Sequence, residues 1–145
     1  MIDIYKEWGW MPKWELFGRE TFTMEGDPAI PVITDTWLKG LRGFDIEAAY
    51  EAFVKSATSN GTDNLMRPDI NPYLEKGYIP LGMYSADLSG DNSVSHALEY
   101  YIADYALSLL AAELGNAEDA EKFLAQSLQY KHYYCPSSGT FRPLN

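Results

Sequence analysis

The sequence predicts an all-α fold in which helical hairpins are joined by long ordered loops. In four stretches of the 145-residue chain, apolar residues recur every three or four positions, which is the spacing of one helix face. The long stretches between them contain tryptophan, tyrosine, proline and methionine, a composition that favours order. With 46% hydrophobic residues, the chain has enough apolar material for one core, so we expect one domain or part of a larger one.

The first half of the chain predicts an ordered loop followed by a helical hairpin. Residues Glu7–Gly26 show neither helical nor strand periodicity. Asp27 as N-cap and Pro28 in the first turn predict a helix that reaches about Leu41. Asp45 predicts the cap of a second helix, and because the connection is short the two should be antiparallel neighbours. The apolar stripe of the second helix consists of Ile46, Ala49, Tyr50, Phe53, Val54 and Ala57.

The second half predicts a single helical turn and a second, longer hairpin. The turn spans Asn71–Gly77, with proline at its start and glycine at its end. The strongest helix runs from about Ser93 or Ser95 to Leu114, and a last helix runs from its cap Asn116 to about Tyr134. The predicted core stripe of the strongest helix consists of Val94, Leu98, Tyr101, Ile102, Tyr105, Leu109 and Ala112.

Charge and cysteine content exclude several functional classes. The formal charge is −10 and no run of lysines or arginines forms a patch, so nucleic acid and anionic membranes are not expected partners. Cys135 is the single cysteine, which excludes an internal disulfide and paired-cysteine zinc or redox sites. No apolar run approaches the roughly 18 residues of a membrane span. The segment Met1–Trp10 lacks signal-peptide order, so any secretory signal would lie upstream of it.

Several short motifs occur in one order along nearly the whole chain. Together they resemble the glycoside hydrolase family 92 α-mannosidases, and several motifs in one order are more specific than any one of them. The motifs are Gly9–Glu15, Met24–Ala29, Asp35–Gly40, Gly43–Asp45, Glu47–Ala49, Gly77–Pro80, Ser93–Ser95, Leu98–Tyr100, Asp104–Tyr105, Leu114–Gly115, Tyr130–Lys131 and Gly139–Pro143.

The resemblance implies that residues 1–145 are a single segment from the central part of an (α/α)6 toroid. It also implies an inverting, calcium-assisted α-mannosidase, acting on glycans as an α-1,2-type exo-enzyme, in a parent protein that is secreted or periplasmic. The family's acid, base and calcium motifs lie beyond the position that matches Asn145. We therefore expect no catalytic residue and no metal ligand in this chain, which should be inactive alone. Ala103 stands where the family commonly has an aspartate, and Tyr105 replaces a usual tryptophan.

Two acidic residues on the strongest helix are candidates for substrate binding. Inversion needs two carboxyl groups roughly 6.5 to 9.5 Å apart across the glycosidic bond. Glu99 and Asp104 are five positions apart, hence about 140° apart around a helix, so they cannot form that pair. Each can contact substrate singly. The alternative for each is a buried carboxylate bonded to a loop amide or a basic residue.

Three further residues are candidates for contact with a sugar. Trp10 and Trp14 lie in the first loop, where an indole face can stack on a pyranose ring or pack onto the loop's own helices. Arg142 follows the last helix without a periodic core position, so it can pair with substrate or with a carboxylate. His96 and Glu99, three apart, can tune a proton donor or form a surface pair at the helix start.

A non-enzymatic function is the alternative hypothesis. The segment Tyr105–Tyr134 is similar to a tetratricopeptide hairpin, and modules of that kind bind peptides. Against it, more than thirty irregular residues separate the two hairpins, whereas stacked repeats need short links. In the mannosidase interpretation the partners are α-mannoside glycans. A partial toroid would also expose apolar helix faces, which predicts a homo-oligomer.

Overall fold

The computed structural model describes residues 1–60, 63–82 and 92–145, and in these ranges the regular structure is mainly helical. The α-helices are α1 (Ile2–Trp8), α2 (Ala29–Leu38), α3 (Ile46–Thr58), α4 (Ile70–Lys76), α5 (Ser93–Glu113) and α6 (Ala117–Ser127), and a 3₁₀ helix spans Leu128–Tyr133. Two small antiparallel hairpins are formed by β1 (Glu15–Leu16) with β2 (Arg19–Glu20) and by β3 (Tyr134–Cys135) with β4 (Thr140–Phe141). None of the described helices is long and apolar enough to cross a membrane.

The predicted all-α class is confirmed, and the clearest helix starts were predicted correctly. Asp45 caps α3, because its Oδ1 accepts a hydrogen bond of 3.1 Å from the backbone N–H of Ala48. Helix α5 occupies the range predicted for the strongest helix, and Gly77 ends α4 with a left-handed φ of 79°. The last helix is shorter than predicted, since after Ser127 the chain continues as the 3₁₀ helix.

Two predictions about the first thirty residues were wrong. The stretch Glu7–Gly26, predicted to lack regular structure, contains the end of α1 and the β1–β2 hairpin. Asp27 is not the cap of α2: Pro28 holds that position without a side-chain hydrogen bond, and the Asp27 side chain is buried in an ion pair. Elements this short, and a carboxylate with a distant partner, leave no periodic signal in the sequence.

Helix α5 is the centre of the packing. It packs most extensively on α6 and then on α2, and α2 contacts α5 more than it contacts α3, the neighbour predicted for it. One apolar cluster fills the space between α2, α3, α5 and α6, and includes Ile30, Phe53, Leu107, Leu110 and Phe123. A second cluster joins α4, the first half of α5 and the 3₁₀ helix, and includes Ile70, Tyr73, Tyr100, Tyr101 and Tyr133.

The face of α5 that is buried is not the face that was predicted. Ile102, Tyr105 and Leu109 are 55%, 51% and 39% exposed, and Ala112 is exposed too. Of the predicted stripe, Tyr101 is buried and Val94 and Leu98 are half-buried. The buried residues are mostly small or polar: Ser93, His96, Ala97, Tyr100, Tyr101, Ala103, Asp104, Ala106, Leu107, Ser108, Leu110 and Ala111. Small side chains let neighbouring helices approach closely, so the alanine-rich face is the one they cover.

Candidate functional site

A shallow cleft of about 510 Å³ lies between the loop that precedes α2 and the first half of α5. It contains Glu99, one of the predicted site residues. The lining residues combine two carboxylates and an amine with short apolar surfaces: Lys13, Thr23, Met24, Glu25, Pro28 and Glu99. Polar groups of this kind around an apolar floor suit a ligand with several hydroxyl groups.

Gly26 brings the loop and the helix into direct contact at this cleft. Its φ is +77°, and a Cβ atom at this position would lie 2.6 Å from the Cβ of Glu99. No larger residue fits there without moving the loop or α5. The close approach places Glu25, on one side of the glycine, next to the helix that carries Glu99.

A histidine between two carboxylates fixes the position of Glu25. His96 Nδ1 lies 2.5 Å from Asp69 Oδ2, and His96 Nε2 lies 3.5 Å from Glu25 Oε1. The other oxygen of Glu25 accepts a hydrogen bond from the Ser95 hydroxyl. Because α5 supplies both His96 and Ser95, the helix holds the carboxylate of Glu25 at the edge of the cleft.

Lys13 also lines the cleft, and a hydrogen bond to the backbone holds its amine in place. Its Nζ donates a hydrogen bond of 2.7 Å to the backbone carbonyl of Met66. Burial lowers the pKa of the Lys13 ammonium from its ordinary value, and the nearby Asp27 and Glu20 carboxylates oppose that shift. The amine is therefore fixed in place, with fewer water molecules around it than a surface lysine has.

A fully buried ionic network lies behind the cleft. Arg67 Nη1 donates to Asp104 Oδ1 at 2.7 Å, and Arg67 Nε donates to Asp27 Oδ2 at 3.3 Å; all three side chains have no solvent exposure. The Tyr73 hydroxyl donates to Asp104 Oδ2 at 2.7 Å, and the Ser56 hydroxyl donates to Asp27. Burial raises the pKa of the Asp104 carboxyl, which Arg67 and Tyr73 oppose. The network ties α3, α4 and α5 to the loop before α2.

Of the predicted site residues, Glu99 is the one in the lining of the cleft. Trp14 follows Lys13 and is 52% exposed. Asp104 has the alternative environment considered for it, a buried carboxylate bonded to a basic residue. Trp10 lies with its ring centroid 4.3 Å from Lys55 Nζ, so the loop packs on α3 there. Arg142 directly follows β4 and is exposed, with its Nη1 4.0 Å from Cys135 Sγ.

The sequence did not reveal the partners of His96, nor that Glu25 and Lys13 line the cleft. His96 pairs with Asp69 and Glu25 rather than with Glu99, its predicted neighbour on α5. Glu25 and Lys13 lie in an irregular loop, where spacing gives no information about direction. The available signal was Arg67, a charged residue that directly follows the apolar residues Leu65 and Met66.

Comparison with known proteins identifies what this arrangement is similar to. Residues 1–145 match the family model described as the glycosyl hydrolase family 92 catalytic domain. A curated relative from the fungus Arthroderma benhamiae, described as an uncharacterized secreted glycosidase, is 30% identical over 146 residues. That match covers 97% of this chain and 19% of the relative, so the chain spans less than a fifth of the relative's length.

Solved structures give the same result. A family GH92 inverting mannosidase from Bacteroides thetaiotaomicron superposes with a TM-score of 0.87 at 25% identity, over 99% of this chain and 19% of that one. A family GH92 α-mannosidase from the same bacterium, in complex with mannoimidazole, superposes with a TM-score of 0.79 at 33% identity. This second match covers 94% of this chain and 16% of that one.

Proposed function

This chain belongs to glycosyl hydrolase family 92, and we propose that it forms part of the catalytic domain of an α-mannosidase. Its helices are part of the (α/α)6 toroid of that family. The observation that carries the proposal is the agreement of the whole chain, in sequence and in helix arrangement, with mannosidases of the family. The proposed reaction is the hydrolysis of α-linked mannose residues of glycans.

The chemistry of the cleft supports a role in holding the sugar. Carboxylates accept hydrogen bonds from sugar hydroxyls, and an ammonium group donates to their oxygens. Glu25, Glu99 and Lys13 provide both kinds of partner around one shallow depression. The exposed indole of Trp14, beside Lys13, provides a flat apolar surface on which a pyranose ring stacks. In this proposal the buried Asp104 positions Arg67 and α5 rather than touching the sugar.

The acid, the base and the calcium ion of the reaction are proposed to lie outside this segment. Among residues 1–60, 63–82 and 92–145, no three His, Cys, Asp or Glu side chains come together where a metal ion could be held. Calcium takes six to eight oxygen ligands, and the two carboxylates of the cleft do not supply such a set. The described residues therefore do not fit a calcium site, and the segment alone is expected to be inactive.

We also propose the stereochemistry of the reaction, the mannosidic linkage that is cleaved and the location of the longer protein. Inversion is supported by the relative that is itself described as an inverting mannosidase. An α-1,2-type, exo-acting specificity belongs to the same proposal and follows from the family resemblance alone. A secreted or periplasmic location of the longer protein is supported by the fungal relative described as a secreted glycosidase.

Mannose release tests the proposal. A panel of α-mannobioses would be incubated with this chain and with a protein that also contains the flanking parts of the catalytic domain, each with and without a calcium chelator. We expect release by the longer protein alone, and its loss on chelation. Release by the 145-residue chain would refute the assignment of the chemistry to other segments. An inactive longer protein that is folded and loaded with calcium would refute the mannosidase assignment.

We also propose that the isolated chain self-associates through the exposed face of α5. Ile102, Tyr105 and Leu109 lie on that face at helical spacing, and exposed apolar stripes of this kind favour association. Sedimentation velocity over a range of concentrations should show a dimer or larger species that dissociates in the variant Tyr105→Glu/Leu109→Glu. A monomer at millimolar concentration would contradict this proposal.

A further inference from the structure

The β1–β2 hairpin presents an aromatic side chain at an unusual backbone position. Leu16 pairs with Arg19, so the turn contains the two residues Phe17 and Gly18. Both have positive φ, 53° and 75°, as in a type I′ turn. Asparagine, aspartate and glycine are the residues that favour the first of these positions, because a larger side chain there is strained.

The strained residue is also the most exposed large apolar residue of the described chain. Phe17 is 96% exposed, so its ring contributes almost nothing to the packing of this segment. The backbone strain in the turn lowers stability, and the unburied ring contributes no burial free energy that would offset it. Strain of this kind persists at binding sites more often than elsewhere.

The hairpin is held rigidly at its base by a buried carboxylate. Glu20 accepts hydrogen bonds from the backbone N–H groups of Trp14, at 2.8 Å, and Phe22, at 2.7 Å, as well as from the N–H of Lys13. Thr21 adds a hydrogen bond of 2.9 Å from its hydroxyl to the carbonyl of Trp14. The turn is therefore presented in a fixed direction, which lowers the entropic cost of binding.

The hairpin continues the wall of the cleft. Lys13 at one end of the hairpin and Thr23 and Met24 at the other both line the cleft. Two aromatic rings, those of Trp14 and Phe17, are exposed along the same segment. Both rings therefore belong to the segment that joins Lys13 to Thr23, two residues of the cleft lining.

We propose that the β1–β2 hairpin is an extension subsite, in which Phe17 stacks on a pyranose ring of the glycan beyond the sugar held in the cleft. This inference rests on the proposed function. The ligand class follows from the surface: the aromatic rings carry no charge, and a neutral sugar is not repelled by a chain with a net charge of −10. The axial and equatorial C–H groups of a pyranose provide an apolar face of the size of a phenyl ring.

The substitution Phe17→Asn separates this role from a structural one. Asparagine is favoured in the turn, so the variant should keep the hairpin and melt about 2–4 °C higher, while the stacking ring is lost. In the longer protein we expect kcat/KM to fall about 3-fold to 10-fold for a mannotetraose, mainly through KM, and to stay within about 2-fold for a mannobiose. Leu41→Asn, which removes another exposed apolar side chain outside the hairpin, is the control and should change neither value.

A titration of the 145-residue chain with mannotetraose, followed by NMR, gives an independent measurement. The ring protons of Phe17 and the indole of Trp14 should shift together, and the indole shift should weaken in Phe17→Asn. Shifts in a protein that hydrolyses no mannoside would refute the proposed function while supporting the subsite. Absence of a Phe17 shift, or equal loss of kcat/KM for the short and long substrates, would overturn the subsite and indicate that the hairpin packs on another part of the protein.

Discussion

The two faces of α5 differ in a way that hydrophobicity alone does not predict. The buried face combines Leu107 and Leu110 with alanines, serines and the charged residue Asp104, whereas large apolar residues also lie on the exposed face, namely Ile102, Tyr105 and Leu109. On the buried face, the polar group is fully paired: Asp104 bonds to Arg67 and Tyr73. The exposed face has apolar side chains at regular spacing, as a helix has when it packs on both sides.

Which face of a helix is buried therefore depends on the neighbouring helices that are present as well as on the hydrophobicity of its side chains. Small residues on one face allow α2, α3 and α6 to pack closely on α5. The large residues on the opposite side of α5 are exposed to solvent in this segment. The segment spans less than a fifth of its relatives' length. A helix with two covered faces is typical of a toroid, in which each helix has neighbours on both sides.

Breaking the ionic network of the buried face should have the largest effect. Arg67→Met leaves the carboxylates of Asp27 and Asp104 buried without their cation, which should lower the free energy of unfolding by about 3–5 kcal/mol. Urea denaturation followed by circular dichroism measures this loss. The triple variant Arg67→Met/Asp27→Asn/Asp104→Asn removes the charges as well and should regain much of the stability. If Arg67→Met lowers the free energy of unfolding by less than about 1 kcal/mol, water must reach the carboxylates of Asp27 and Asp104.

Matched leucine substitutions on α5 compare the two faces directly. Leu107 is fully buried, so Leu107→Ala should cost about 2–5 kcal/mol of unfolding free energy. Leu109 lies two residues further along the same helix and is 39% exposed, so in dilute, monomeric protein its change to alanine should cost less than about 1 kcal/mol. The two helix propensity changes are identical, so the difference reports burial alone. A loss at Leu109 that grows with protein concentration would show that a second copy of the chain covers this face, whereas equal losses in the monomer would contradict its exposure.

Glycine substitutions test the contact between the cleft loop and the edge of α5. Gly40 has a φ of +85°, and no atom lies within 4 Å of a Cβ added there. Gly40→Ala should therefore lower the free energy of unfolding by only about 1 kcal/mol. Gly26→Ala adds a clash with Glu99 to a similar backbone strain, so its loss should be larger by about 1–3 kcal/mol. Thermal unfolding of the two variants gives the difference. If the two variants lose the same unfolding free energy, the loop at Gly26 does not contact Glu99 of α5 closely.

The smallest effect on stability is expected in the β3–β4 hairpin, which belongs to neither face of α5. Hydrogen bonds from Ser137 and then Ser138 lower the pKa of the Cys135 thiol to about 6. The thiolate fraction, and hence the rate of alkylation by iodoacetamide, should rise with pH to half its maximum near pH 6. Ser137→Ala should move this midpoint upward without changing the melting temperature. A midpoint near the ordinary thiol value of about 8.5 would show that the serines do not hold the thiolate.

The sequence predicted those parts of the fold that depend on neighbouring residues. Asp45 and Gly77 mark a helix start and a helix end because a cap is satisfied within three or four residues. The same kind of information located Glu99 on the helix that borders the cleft. It did not locate Glu25, since the direction of a loop side chain depends on Gly26 and on the helix against which that glycine packs.

By itself, the sequence determined the helical class, most helix boundaries and, through motifs in a fixed order, the family. These properties are set by local hydrogen bonding and by periodicity, both of which can be read within one turn or one motif. The tertiary structure alone decided which face of α5 is buried, that Asp27 and Asp104 share Arg67, and that His96 holds Glu25. Each of these joins residues more than thirty positions apart or selects between two amphipathic faces, and such choices depend on which neighbours the folded chain brings into contact.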